Sequence, residues 1–91
     1  MKQREQAVVT IVGRNTVGIL ARASTVCAEN NVNIVDISQS LKDVFFTMVM
    51  LVDITEMICS IEDLDRMMRE RLPEMQISVM HEEIFNAMHT I

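Results

Sequence analysis

Within about twenty residues the chain changes its hydrophobic period, and that change limits the folds open to it. Ala7 to Val12 is apolar on both alternations, broken only by Thr10, as in a central strand covered on both faces. The segment Gly13-Arg14-Asn15-Thr16-Val17-Gly18 then interrupts it. From Gly18 to about Asn31, the residues Ile19, Ala23, Val26, Cys27 and Asn30 fall on one helical stripe, with Arg22 and Glu29 outside it. A strand entering a helix through such a turn leaves free backbone N–H groups at the helix start, where an anionic group is favoured. Asn15 or Thr16 is expected to cap the helix, because each carries an oxygen that accepts from orphan N–H groups. On local sequence alone the turn reads in two ways: a plain connection whose glycines relieve backbone strain, or a ligand turn. Neither a Gly-x-Gly-x-x-Gly spacing nor a following Gly-Lys-Ser/Thr is present, so no dinucleotide or Walker-type loop is indicated.

Asn30-Asn31 suits a helix exit, since Asn tolerates the left-handed backbone. Val32 to Leu41 reads as a second strand, with Val35, Ile37 and Leu41 on one face and Ile34, Asp36, Ser38 and Ser40 on the other. Asp36 is then an edge acid facing water, or a functional or interface acid. Lys42-Asp43 is expected to be a tight hairpin turn. In the following strand Val44, Phe46, Met48, Met50 and Val52 point one way, and Phe45, Thr47, Val49 and Leu51 the other. Ser60 starts a second helix with Asp63 three residues on, a near-match to a capping box. Ile61, Leu64, Met67, Met68 and Leu72 make its stripe, Asp65 and Arg69 pair at i,i+4, and Pro73 ends it. Met75 to His81 reads as a fourth strand, and Glu82 to Ile91 as a short amphipathic tail.

Ninety-one residues make one domain, residues 1–91. A small monomer needs polar cover, yet 49% of these residues are apolar, so part of the apolar surface is expected to meet a second subunit. The net charge of −5 argues against nucleic acid. Cys27 and Cys59 form no disulfide framework and no Cys-x-x-Cys pair, which suits a reducing cytoplasm. The polar lead Met1–Gln6 and the short apolar run after it make neither a signal peptide nor a membrane span. His81 and His89 lack ligand spacing, and no catalytic pair of titratable residues emerges. No catalytic residue, metal site or cofactor is therefore expected.

The order strand, helix, strand, strand, helix, strand predicts an α+β fold. It is a ferredoxin-like βαββαβ sandwich: an antiparallel four-stranded sheet, two helices on one face, and a short C-terminal helical extension. The core spans about 6–82 and the extension 83–91. Val9-Thr10-Ile11-Val12-Gly13-Arg14-Asn15-Thr16-Val17-Gly18-Ile19-Leu20-Ala21, followed by Asn33-Ile34-Val35-Asp36-Ile37-Ser38-Gln39, resembles the ACT domain. The free-standing forms related to the glycine-cleavage-system repressor, and uncharacterised single-domain ACT proteins, are most similar; Ile84-Phe85-Asn86-Ala87-Met88 resembles the extension of the latter. The resemblance implies a non-catalytic regulatory module that forms a homodimer or higher oligomer and senses an amino acid or related metabolite at a subunit interface. It implies a ligand turn of Arg14, Asn15, Thr16, Val17 and Gly18, with Ile19 beginning the helix and Asn33 and Ile34 contributed by a facing subunit. Asn15 stands where the family usually has Asp, replacing an ionic hold on an ammonium with neutral hydrogen bonds. The alternative is a structural or protein-interaction module acting through its open sheet face without a metabolite.

Overall fold

A computed structural model describes residues 4–89; Met1–Gln3 of the polar lead and Thr90–Ile91 of the tail lie outside the described residues. The chain runs β1 (Gln6–Arg14), α1 (Ile19–Glu29), β2 (Asn33–Lys42), β3 (Phe45–Asp53), α2 (Ile61–Arg71), β4 (Gln76–His81) and α3 (Glu82–Met88). The strands lie side by side in the order β2-β3-β1-β4, with every neighbouring pair antiparallel. This is the ferredoxin-like arrangement that the element order predicts.

Its core follows from two periods meeting. Ala7, Val9 and Ile11 of β1, Phe46, Met48, Met50 and Val52 of β3, and Ile77 and Val79 of β4 are buried at every second position. Against them lie the buried residues of the helices: Ile19, Ala23, Val26 and Cys27 of α1, and Leu64 and Met68 of α2, followed by Leu72. Burying each larger aliphatic side chain contributes about 1.5–3 kcal/mol. Asn30, the buried polar member of the α1 stripe, is satisfied because its Nδ2 donates to the Val26 carbonyl at 2.8 Å.

α2 is stabilised at both ends. Ser60 Oγ accepts from the Asp63 N–H at 3.0 Å, Glu62 and Asp63 occupy the first turn, and Arg69 and Arg71 the last. Arg66 beside Asp63, together with Ser60, holds that carboxyl below the usual carboxylate range. Arg69 Nε meets Asp65 at 2.9 Å, and Arg69 Nη2 reaches across to donate to the Ile77 carbonyl at 2.6 Å.

Two details of β2 differ from strict alternation. Ile34 pairs with Val52 but Asp36 pairs with Leu51, so Val35 is the extra residue of a β-bulge. The bulge turns Ile34 to the helix-covered face, where it packs with Ile37 against the core, instead of sharing the face of Asp36, Ser38 and Ser40. The hairpin is also one residue later than the sequence suggests. Lys42 pairs with Phe45, leaving Asp43-Val44 as the two-residue loop, and Asp43 takes the left-handed conformation at φ 61°. Val44 therefore belongs to the turn rather than to the strand.

The two sheet edges are unlike. β2 is mostly exposed on both faces, and Asp36 is a solvent-facing acid on it. β4 is shorter, its Ile77 carbonyl is occupied by Arg69, and α2 and α3 both lie against it. α3 also touches β1, and Val8 on the face away from α1 and α2 is buried. Elsewhere that face is open: Phe45 is 61% exposed and Val12 is exposed beside it. In the tail, His81 Nδ1 accepts from the Glu83 N–H at 3.2 Å, and the His89 ring stacks on Phe85 with centroids 4.1 Å apart.

The α2 cap is a direct test of local stability. Ser60→Ala is expected to lower unfolding free energy by about 1 kcal/mol, whereas Ser60→Asp keeps it near wild type. Urea denaturation of the three proteins measures both; equal midpoints would show that the Ser60 hydrogen bond adds nothing.

Candidate functional site

β1 ends beneath the connection between α2 and β4. A Cβ on Gly13 would stand 2.9 Å from Met75 Sδ and 3.5 Å from the Glu74 carbonyl oxygen. The missing side chain thus lets Met75 lie directly over the strand. Beyond it, the Asn15 N–H donates to the Val44 carbonyl at 2.9 Å and ties the turn to the β2–β3 hairpin. Gly18 closes the turn at φ 83°, a left-handed conformation open to glycine. Gly18 is itself the N-cap of α1, and no side chain caps that helix. The expectation that Asn15 or Thr16 would do so is corrected: the left-handed Gly18 sets the helix start beyond both of them.

Arg22, one turn into α1, holds the other side of this segment. Its Nη2 donates to Thr16 Oγ1 at 3.4 Å and to the Val17 carbonyl at 3.5 Å, and its Nε to the Gly18 carbonyl at 3.4 Å. The same guanidinium meets the Glu74 carboxylate at 2.9 Å and donates through Nη1 to the Arg71 carbonyl at 3.0 Å. Arg22 holds the Glu74 carboxyl below its ordinary value. Sequence reading leaves Arg22 outside the apolar stripe as a surface residue. Its principal partners are 49 and 52 positions away, so no local pattern announces them.

Arg14, Asn15, Thr16 and Val44 line an open hollow of about 450 Å³. Arg4, Arg22, Arg66, Arg69 and Arg71 each have a carboxylate within 4 Å. Arg14 has no ion-pair partner among the described residues, which leaves its guanidinium available to an anionic group. The other predicted site residues divide. Val17 is 98% exposed on the outside of the turn, Gly18 shapes the backbone, and Ile19 is buried in the core below.

Asn33 and Ile34 lie at the far end of the sheet. Asn33 pairs with Asp53 while Arg14 pairs with Phe45 at the opposite end of β3; eight strand steps separate them by roughly 27 Å. Asn33 lines a second hollow of about 410 Å³ with Arg4, Asn31, Asp53, Thr55 and Glu56. Hydrogen bonds from Thr55 hold the Asp53 carboxyl below the ordinary range. Within one chain, then, the fold gathers Arg14, Asn15 and Thr16 and keeps Asn33 apart. No group of three or more metal-ligating side chains occurs among the described residues.

The sequence profile of the ACT domain matches residues 5–82. The chain belongs to the ACT domain family. A UPF0237 protein of Clostridium perfringens is 46% identical to this ACT protein over 87 residues, covering 93% of this chain and 98% of its own length. A UPF0237 protein of Methanocaldococcus jannaschii is 42% identical over 88 residues, covering 94% and 98%. Among solved structures, an ACT domain protein from Streptococcus pneumoniae superposes with a TM-score of 0.77 at 29% identity, covering 91% of this chain and 96% of that one. ACT domains are non-catalytic regulatory modules of a generally ligand-sensing family. No helix among the described residues is long and apolar enough to cross a membrane.

Two substitutions test how this turn is held. At Gly18 a Cβ meets nothing within 4 Å, so the cost of Gly18→Ala is conformational alone. It is expected to be about 1–2 kcal/mol by urea denaturation, with Gly18→Asn closer to wild type. Glu74 titrates below its ordinary 4.5, so its ion pair stabilises the fold above that pH and is lost as pH falls through the depressed value. The stability difference between wild type and Glu74→Gln should be constant near neutrality and close below about pH 4.5. A gap that widens on acidification would contradict that assignment.

Proposed function

We propose that this ACT protein is a regulatory module that binds an amino acid or related small metabolite at a homodimer interface. The Arg14–Gly18 turn comes from one copy, and Asn33 and Ile34 from the other. The observation that carries this reading is the unpartnered Arg14 beside Asn15 and Thr16 in an open hollow. A guanidinium there suits a ligand carboxylate, which it can bind through two parallel hydrogen bonds. Asn15 and Thr16 offer neutral hydrogen bonds to the rest of the ligand.

The separation of Asn33 from the turn supports a composite site. A second copy lying antiparallel along the exposed β2 edge brings its own Asn33 end to the first copy's Lys42, at the same end of the sheet as the Arg14–Gly18 turn, whose Asn15 is bonded to the hairpin at Val44. Ligand binding and pairing then favour each other by the same factor. The two free cysteines suit operation in a reducing cytoplasm. A second reading, a protein-interaction module without a metabolite, draws on the exposed Phe45 and Val12 of the open sheet face.

Calorimetric titration with the common amino acids, together with the solution mass, tests the proposal. The resemblance to relatives of the glycine-cleavage repressor puts glycine first in that panel. One saturating amino acid and a dimer are expected, with at least tenfold weaker binding in folded Gly18→Val and Asn33→Ala variants. Unchanged binding in both variants overturns the composite site, and a dimer that binds none of the panel supports the second reading.

A further inference from the structure

The ligand turn is clamped on two sides by different parts of the chain. On one side Asn15 is bonded to the hairpin at Val44. On the other, a single guanidinium bridges Thr16, Val17 and Gly18 to the Arg71 carbonyl and to Glu74. Glu74 is followed by Met75, the residue packed over Gly13 at the root of the same turn. Turn and α2–β4 connection therefore share two contacts, one polar and one apolar, around a short loop. A second pair, Arg71 with Glu29 at 2.9 Å, joins the same end of α2 to the end of α1.

The residue type matters as much as the charge. The Arg22 side chain is only 33% exposed and distributes its donors over carbonyl, hydroxyl and carboxylate groups at once. A lysine ammonium could keep the attraction to Glu74 but lacks the planar fork that spans both segments. The arrangement is thus more specific than a surface ion pair, whose net worth is small.

We infer that Arg22 is a positioning residue that couples the Thr16–Gly18 turn to the α2–β4 connection, so that a change at the turn is felt at Glu74 and Met75. The regulatory meaning of this coupling rests on the ligand reading above; the coupling itself does not. It gives the second half of the fold a route to sense the turn that is separate from the β2 edge.

Backbone order parameters measured by nitrogen relaxation on the ligand-free protein decide it. In wild type, Thr16, Val17, Gly18, Glu74 and Met75 are expected near the rigid value of about 0.85, and in Arg22→Gln all of them should drop below about 0.6. Glu74→Gln alters an exposed carboxylate and leaves the turn's own residues intact, yet it should loosen Thr16–Gly18 as well. Arg22→Lys should not restore the turn. In each variant the hairpin residues Asp43 and Val44 and the α2 helix should keep their wild-type values. An unchanged turn in Glu74→Gln, or a uniform loosening of every element, overturns the inference. Should Arg22→Gln fail to fold, Glu74→Gln alone decides. Because no ligand is added, a failed amino-acid titration and a failed coupling remain separate results.

Discussion

The two central strands, β1 and β3, are apolar on both alternations, while α1 and α2 cover only one face of the sheet they form. Much of the molecule follows from that imbalance. The covered face can be packed densely because Met48, Met50, Met68 and Met75 adapt to the space between sheet and helices. The opposite face is shielded near Val8, where α3 lies against β1 and β4, and stays open toward Val12 and Phe45. Part of the apolar excess visible in composition, at Leu20, Ile58, Ile84 and Met88, is exposed elsewhere on the molecule, and part of it, at Val12, Val44 and Phe45, lies at the hairpin end of the sheet. It is the same end that carries the Arg14–Gly18 turn.

The parts of the fold governed by local period were legible in the sequence. The α1 stripe of Ile19, Ala23, Val26, Cys27 and Asn30 is the buried face of that helix, and Ser60 caps α2 as its spacing suggests. β2 was harder to read. A bulge adds one residue without any glycine or proline to mark it, so counting by twos from Ile37 places Ile34 on the wrong face. The hairpin lies one residue beyond its expected place for a related reason. Asp43 accepts the left-handed conformation equally well in either alignment of the turn, and only the pairing of Lys42 with Phe45 chooses between them.

The candidate site was legible as a segment but not as an assembly. The glycines mark where the backbone must turn, and Arg14, Asn15 and Thr16 do gather there. What positions them was hidden. Asn15 is fixed by a carbonyl 29 residues later, and Arg22 by groups in the second half of the chain. A helix-cap rule reads only a few neighbouring residues and points to Asn15 or Thr16 for a place that Gly18 takes through its backbone conformation. The hidden determinants are contacts to the β2–β3 hairpin and to the second half of the chain.

The unlike edges of the sheet also set a limit on how it can grow. An antiparallel sheet with two open edges can add strands from neighbour after neighbour into an endless ribbon. Here one edge is long and uncovered, whereas the other is short, has a carbonyl occupied by Arg69 and is flanked by α2 and α3. A twofold pairing along β2 would consume the long open edge of both copies and leave the two short β4 edges outside. An assembly of that kind would present eight strands and offer a further copy only the short β4 edge, one carbonyl of which Arg69 already takes.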